Sequence, residues 1–294
     1  MKRTVNNEVL YAYTGGKDYN PDLPTMVFIH GVLNDHSVWA LQSRFFANHG
    51  FNVLAVDLPG HGRSTGAPPA SVAEAAASVL ALLDDLQVTE AVLVGHSWGS
   101  LIALHAASLD PQRIVQLVLV GTAFPMPVSP ALLDMSVSAP DKAIDMVNTF
   151  SHSTLCAAVP GQGANTGSWT YGGARALMQH VLASNREHNV FNIGFNACNS
   201  YATGLEDIAK VSCPVTFVLG SADQMTPPKA AKGLIGAAAK SQVFTLPAGH
   251  SLLLRHDAPL PAPRQWWDVS FAERRQGRAA DLEAELLHLL RQAV

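Results

Sequence analysis

The chain has 294 residues, of which 48% are hydrophobic and 14% are charged, with a net charge of −4 and an isoelectric point near 6.3. A chain of this length buries a large apolar core and needs no disulfide or metal ion to fold. The slightly negative charge provides no attraction to nucleic acid, so we expect a small molecule as the ligand.

The cysteines and the amino-terminal segment predict a cytoplasmic protein. Cys156, Cys198 and Cys213 are widely spaced and form no C-x-x-C pair, a pattern typical of reduced thiols. No apolar segment long enough for a signal peptide follows the charged start, and no apolar run is long enough to cross a bilayer. We expect a monomer or a homodimer.

Short β-branched apolar runs alternate with segments of helical period, a pattern typical of strand-helix units that form a parallel sheet. Helices are predicted over 71–86, where Ser71 caps the helix and Glu74 completes a capping box, and over 229–240. A further edge strand is predicted at 9–13. In chain order, the predicted strands of the parallel sheet are 26–30, 53–57, 91–95, 115–121, 215–220 and 242–246.

The alternation of strands and helices stops between residues 124 and 206. Unstructured connections of this length are uncommon in compact domains, so we interpret the segment as a helical cap inserted into a core formed by 1–123 and 207–294. The proline-rich stretch 125–130 is predicted to be stiff and non-helical, and the glycine-rich stretch 160–167 joins two helices. Helical period predicts these cap helices at 141–150, 173–184 and 186–201.

A serine flanked by glycines follows the predicted strand 91–95, in the sequence Gly95-His96-Ser97-Trp98-Gly99. A sharp turn at this point exposes the Ser97 hydroxyl to a base and leaves almost no room for side chains at positions 95 and 99. Glycine and serine also occur together in ordinary turns. The strand before the motif and the helix-compatible segment 100–109 after it favour a nucleophile.

A serine nucleophile needs a base and an acid, and both have candidates at the carboxyl ends of later strands. His250 follows the strand 242–246, and Asp223 follows the strand 215–220. Parallel strands end at one edge of a sheet, so we expect Ser97, Asp223 and His250 to converge there. Alternatively, Asp223 forms a turn and His250 is a surface group. Asp207 follows no strand end, and Asp257 is close to His250 in sequence.

Two backbone N–H groups are candidates for stabilising an oxyanion. The N–H of Trp98 begins the helix after Ser97, where it has no intrahelical partner. The second candidate is the N–H of Val32, in the loop after the strand 26–30, where Gly31 lets the backbone turn toward the site.

Taken together, these motifs resemble the α/β-hydrolase superfamily. The resemblance extends over about residues 26 to 252 and implies an eight-stranded, mostly parallel sheet with a cap between its sixth and seventh strands. It also implies a Ser-His-Asp triad and requires no cofactor. The matching motifs are His30-Gly31, Asp57-Leu58-Pro59-Gly60-His61-Gly62-Arg63-Ser64, Gly95-His96-Ser97-Trp98-Gly99, Gly220-Ser221-Ala222-Asp223 and Gly249-His250.

Two other glycine-rich segments do not match known nucleotide-binding patterns. After Gly60-His61-Gly62 the next glycine is Gly66, one position too late for a dinucleotide fingerprint, and Gly15-Gly16-Lys17 lacks the first glycine of a phosphate-binding loop. No His-Glu-x-x-His or comparable ligand cluster occurs in the sequence, so it predicts no metal site.

The nucleophile type narrows the reaction. A serine at position 97 argues against relatives that use aspartate there, such as epoxide hydrolases, and favours hydrolysis of carboxylic esters. We expect Trp39, Phe124, Met146 and Trp169 to line a largely apolar pocket, although apolar residues at helical spacing more often form core.

Other activities of the superfamily remain open at the level of sequence. Proline iminopeptidases need a lid carboxylate, and acids are few in the cap. C–C bond hydrolases often use a lid arginine, for which Arg175 and Arg186 are candidates. Cofactor-free haloperoxidases share the triad, and some hormone receptors keep this fold to sense a ligand. After His250 the chain departs from the family pattern, with a proline-rich stretch at 259–263 and a final helix predicted at 281–293.

Overall fold

A computed structural model describes residues 1–152 and 166–254, with side chains described for 1–152 and 171–253. Its centre is an eight-stranded sheet with the strand order β1-β2-β4-β3-β5-β6-β7-β8. The first three strands of that order pair antiparallel, and the others pair parallel. The strands are β1 (Lys2–Val5), β2 (Glu8–Tyr13), β3 (Thr25–Ile29), β4 (Asn52–Asp57), β5 (Ala91–His96), β6 (Ile114–Val120), β7 (Val215–Gly220) and β8 (Ser241–Leu246).

The six strands predicted for the parallel sheet are confirmed, each to within one residue at either end. The strand predicted at 9–13 is present as β2, but its predicted edge position is wrong, because β2 pairs with β1 on one side and with β4 on the other. The hairpin between β1 and β2 turns at Asn6 and Asn7, which both have positive φ angles, of 51° and 66°. Positive φ angles at both central residues are what the type I′ turn of a two-residue hairpin requires, and the twist of this turn matches the twist of the two strands.

Helices cover both faces of the sheet. Alternate side chains of β3 enter different layers: Val27 and Ile29 pack with the cluster around α2 and α3, whereas Met26 and Phe28 pack with the cluster around α1. The described helices are α1 (Ala40–Asn48), α2 (Val72–Asp85), α3 (Trp98–Leu109), α4 (Pro130–Ser138), α5 (Pro140–Ser151), α6 (Thr166–Ser184), α7 (Val190–Ser200), α8 (Gly204–Lys210) and α9 (Lys232–Ala237).

The predicted caps and helix bounds are borne out in part. Ser71 accepts a hydrogen bond from the Glu74 N–H at 3.1 Å, while Glu74 accepts one from the N–H of Ala70 at 2.8 Å. The helix predicted over 229–240 is wrong in extent, because a 3-10 turn over Pro228–Ala231 precedes the shorter α9.

Five described helices, α4 to α8, lie between β6 and β7 along the chain, and we call α4 to α7 the inserted helices. The sequence interpretation missed α4, which begins at Pro130 with Ser129 as its cap; proline suits this first position because its missing N–H would have no partner there. The helix predicted over 186–201 starts instead at Val190, because Asn189 caps the N–H groups of Phe191 and Asn192. The predicted linker residues 160–165 and the segment after 254, including the predicted helix at 281–293, lie outside the described residues.

Candidate active site

Ser97 occupies the turn between β5 and α3, with φ 55° and ψ −121°. This strained backbone conformation is uncommon for residues other than glycine and is often found at functional sites. The flanking glycines explain how the turn forms. A Cβ atom on Gly95 would overlap the Gly99 carbonyl group, and one on Gly99 would overlap the carbonyl of Ile29. The expectation that positions 95 and 99 tolerate almost no side chain is therefore confirmed.

His250 and Asp223 meet at the carboxyl ends of β8 and β7. Nδ1 of His250 lies 2.9 Å from Oδ2 of Asp223, and both side chains are buried. The other carboxylate oxygen, Oδ1, accepts hydrogen bonds from the N–H groups of Met225 at 2.9 Å and Thr226 at 2.8 Å. Burial alone would raise the pKa of Asp223, but His250 and the hydrogen bonds from Thr226 outweigh it and lower the pKa. Asp223 therefore stays ionised and orients the imidazole.

Thr226 is a third partner that the sequence interpretation missed. Its Oγ1 atom lies 2.9 Å from Nδ1 of His250, 2.8 Å from Oδ2 of Asp223 and 2.9 Å from the carbonyl oxygen of Gly121. The hydroxyl thus restricts the movement of the histidine ring. The sequence signal for this role of Thr226 is its position three residues after Asp223, the acid that follows β7.

Asp207, considered as a rival acid, belongs to a different cluster. Its Oδ2 atom accepts hydrogen bonds from Nδ1 of His105 and from the hydroxyls of Tyr201 and Thr203, each at 2.7 Å. Burial opposes ionisation, but these three donors outweigh it and lower the pKa of Asp207 to about 2. Asp207 therefore pairs with His105, on α3, and not with His250.

Ser97 and His250 both line a cavity of about 70 Å³. Val32 and His96 also line it from the core side, and His96 is 6% exposed. The loop at Gly31 lies against the serine, since a Cβ atom on Gly31 would be 3.1 Å from the Ser97 Cβ atom. The lining residues between β6 and β7 are Val147, Asn148, Ser151, Ala174, Leu177, Met178, Phe191 and Phe195.

Three of the residues expected to line the pocket occupy other positions. Trp39 has no exposed surface and packs against Phe28, with ring centroids 5.0 Å apart, because it belongs to the core layer under the sheet. Phe124 contacts the ring of Tyr201, and Met146 packs in the cluster among the inserted helices. None of the three is among the described residues that line this cavity. The fourth, Trp169, has a side chain outside the described residues.

Two buried histidines beside the site are held neutral. Burial, with a smaller contribution from His250, lowers the pKa of His96 to about 3; burial, with a contribution from His30, lowers the pKa of His61 to about 3. The ring of His61 lies 5.8 Å from that of Trp98. Neither histidine acts as a charged group at neutral pH.

Within the described residues, one group has the composition of a cation site. Ligand atoms of Asp35, His36 and Asp57 all lie within 4.8 Å of one another. The Asp57 carboxylate already accepts hydrogen bonds from the N–H and Nδ1 of His36 at 2.8 Å and from the N–H of Arg63 at 2.9 Å. These internal partners account for the arrangement, which fixes the turn after β4.

Comparison with known proteins agrees with this architecture. A family model described as alpha/beta hydrolase fold matches residues 24–155. A non-heme chloroperoxidase of Streptomyces lividans is 30% identical over 243 residues, which cover 76% of this chain and 86% of that protein. A lipase of Mycobacterium tuberculosis is 32% identical over 126 residues, covering 42% of this chain and 48% of the lipase.

Other relatives match over a smaller share of their length. The chain spans 28% of an acetyltransferase component of an acetoin cleaving system from Pseudomonas putida, at 38% identity over 37% of this chain. It also spans 28% of an epoxide hydrolase from Caballeronia sordidicola, at 36% identity over 31% of this chain. These matches cover about a quarter of each relative.

Solved structures share the fold at lower identity. An enol-lactonase from Burkholderia xenovorans has a TM-score of 0.72 at 21% identity, with 85% of this chain and 93% of that chain covered. An esterase from Exiguobacterium antarcticum has a TM-score of 0.70 at 16% identity, with 97% of this chain and 98% of that chain covered.

None of the helices in 1–152 and 166–254 is long and apolar enough to cross a membrane. The extent of the chloroperoxidase match, together with the matched family model and the sheet order, shows that the chain belongs to the α/β-hydrolase superfamily.

Proposed function

We propose that this protein is a serine hydrolase of small, largely apolar carboxylic esters, with Ser97 as nucleophile, His250 as base and Asp223 as the acid that orients it. One observation carries the proposal. Ser97 and His250 line one cavity, while Nδ1 of His250 is held 2.9 Å from Asp223. The other ring nitrogen, Nε2, is then available to the serine hydroxyl.

The proposed reaction proceeds through an acyl-enzyme. Oγ of Ser97 attacks the ester carbonyl as Nε2 of His250 takes its proton, and the N–H groups of Val32 and Trp98 donate hydrogen bonds to the oxyanion. His250 then returns the proton to the leaving alcohol. Water attacks the acyl-enzyme by the same route and releases the acid.

The composition of the cavity wall supports an uncharged substrate. Its described residues include no Asp, Glu, Lys or Arg, and most are apolar. An iminopeptidase needs a carboxylate for the substrate amine, and a C–C bond hydrolase of the type considered needs an arginine. Neither candidate for that arginine is in the described lining, because Arg175 is paired with Asp145 and Arg186 is exposed.

We also propose that residues 124–206 form a cap over the site. The described helices of this segment pack on one another and contribute Val147, Met178 and Phe191 to the cavity wall. In this arrangement the core supplies the reacting groups and the cap supplies the surface that contacts the acyl or alcohol chain.

The test compares two serine variants. Ser97→Ala should abolish hydrolysis of p-nitrophenyl butanoate and labelling by a fluorophosphonate probe, because only Ser97 becomes acylated. Ser251→Ala is the matched control, since Ser251 lines the same cavity and should keep both activities. Labelling that persists in Ser97→Ala would contradict the proposal, and a folded wild-type protein inert in both assays would favour a ligand-binding receptor.

The extent of the chloroperoxidase match favours one second candidate function. An acyl-enzyme attacked by hydrogen peroxide instead of water would release a peracid, which oxidises halide ions. Chlorination of monochlorodimedone that requires acetate, hydrogen peroxide, chloride and Ser97 would establish this activity. Chlorination at the uncatalysed rate would leave ester hydrolysis as the single activity.

A further inference from the structure

Two residues that line the cavity each carry a side-chain atom with no hydrogen-bond partner among the described residues. The atoms are Oδ1 of Asn148 and Nδ1 of His96, and both atoms are buried. Asn148 has no exposed surface and lies on α5, and His96 is the residue before Ser97. A buried polar atom normally has a partner, so two unpartnered atoms on residues that line one cavity need an explanation.

The orientation of the Asn148 amide is fixed by its other end. Nδ2 donates a hydrogen bond to the carbonyl oxygen of Tyr171 at 2.9 Å. Turning the amide over would place Oδ1 against that carbonyl, two acceptors in contact, which is unfavourable. Oδ1 is therefore the atom left without a partner, and it can only accept.

His96 offers an acceptor for a similar reason. Its Nε2 atom lies 3.0 Å from the carbonyl oxygen of His250, so Nε2 carries the proton and donates it. In the neutral ring, Nδ1 then bears a lone pair. Burial keeps the ring neutral, since it lowers the pKa of His96 to about 3. Both unpartnered atoms are thus acceptors.

From this pairing we propose that the preferred substrates are uncharged esters whose acyl or alcohol part carries an N–H or O–H group, which donates a hydrogen bond to Oδ1 of Asn148. The inference rests on the proposed ester hydrolysis at Ser97. A donor on the substrate replaces the partner that this oxygen lacks, whereas an apolar chain leaves it desolvated and unpaired. Asn148 is then the residue that distinguishes donor-bearing esters from plain aliphatic ones.

The first experiment uses the wild-type protein and two pairs of esters of matched shape. Methyl N-hexanoylglycinate is compared with methyl 4-oxononanoate, in which a methylene replaces the N–H group. Methyl 3-hydroxyoctanoate is compared with methyl 3-methyloctanoate, in which a methyl group replaces the hydroxyl. Acid release measured in a pH-stat gives kcat/KM for each ester. We expect a preference of about 10- to 100-fold for the donor in at least one pair, which also identifies the donor as amide or hydroxyl.

The second experiment assigns the preference to Asn148. Asn148→Leu removes the acceptor at similar volume and should reduce the preference to within about threefold, mainly by slowing the donor-bearing ester. Val147→Ala changes the same wall without changing its hydrogen bonding and should keep the preference. Thermal unfolding of both variants verifies that they fold, and Asn148→Ala replaces the leucine variant if that one does not.

The outcomes separate this inference from the function on which it rests. If the wild-type protein hydrolyses both members of each pair at rates within twofold, the donor proposal is overturned while ester hydrolysis stands. A preference that survives in Asn148→Leu overturns the assignment to Asn148. Failure to hydrolyse any ester, together with absence of fluorophosphonate labelling, contradicts the proposed function itself.

Discussion

The neutral histidines next to the site predict that the protein loses stability in mild acid. His61 and His96 are buried and have pKa values lowered to about 3, whereas an unfolded histidine titrates near 6.5. Between these two values the unfolded chain binds protons that the folded chain does not. The free energy of unfolding is therefore fully retained above about pH 6.5 and decreases as the pH falls toward 3.

The size of the effect follows from these values. At pH 5, an unfolded histidine of pKa 6.5 gains about 2 kcal/mol from protonation, while a folded one of pKa about 3 gains almost nothing. His61 and His96 together lower the free energy of unfolding by about 4 kcal/mol between pH 7.5 and pH 5. Typical domains have about 5 to 15 kcal/mol in total, so the loss is a large share.

Urea unfolding at pH 7.5 and at pH 5, followed by circular dichroism, measures this difference. His61→Gln is the matched variant, because glutamine keeps a hydrogen-bond donor and does not titrate. Its pH dependence should be smaller than that of the wild type by about 2 kcal/mol. A wild-type free energy of unfolding that changes by less than about 1 kcal/mol over this pH range would refute the reasoning.

Two further substitutions test the geometry of the site. Gly95→Ala places a Cβ atom on the Gly99 carbonyl and should destabilise the fold by about 3 kcal/mol or more, measured by urea unfolding; Gly172→Ala, where nothing lies within 4 Å, should be neutral or slightly stabilising. Thr226→Val removes the hydroxyl 2.9 Å from Nδ1 of His250 and should lower kcat roughly tenfold at unchanged KM, while Thr226→Ser keeps the activity. A change confined to KM would contradict the positioning role of Thr226.

The strands β3 to β7 could be predicted from sequence because each is a short, mostly apolar run with both faces buried, whereas β8, at the edge of the sheet, is largely exposed. The hairpin of β1 and β2 was missed, although Asn6-Asn7 between two short strands is a recognisable turn signal. The start of α4 could not be predicted from sequence alone, because Pro130 fits the end of a stiff proline-rich stretch as well as the first position of a helix after a capping serine.

The positions of the three residues of the proposed triad could be predicted from sequence more readily than the residues of the cavity wall. Ser97, Asp223 and His250 each follow a strand, and the topology of a parallel sheet alone places strand ends together. Which face of an inserted helix meets the site depends on how α4 to α7 pack on one another, and periodicity does not specify that packing. Residue type alone favours a large apolar side chain such as Trp39 as a lining residue, whereas in the structure Trp39 packs in the core.

This difference between the strand ends of the core and the inserted helices explains why the motifs indicate a reaction but do not specify the substrate. The turn at Ser97 is strained, and the contacts of Gly95 and Gly99 with neighbouring backbone hold it, so its geometry belongs to the rigid core. In our proposal, selectivity depends on side chains of the inserted helices, where Oδ1 of Asn148 provides a hydrogen-bond acceptor. Asn148 lies on α5, four residues before His152, which donates from Nδ1 to the Asn148 carbonyl at 2.8 Å. A substrate donor that binds Asn148 would connect the inserted helices to Ser97 through the substrate itself. Because of this connection, we expect the hydrogen-bonding pattern of the ester, rather than its length, to set kcat/KM.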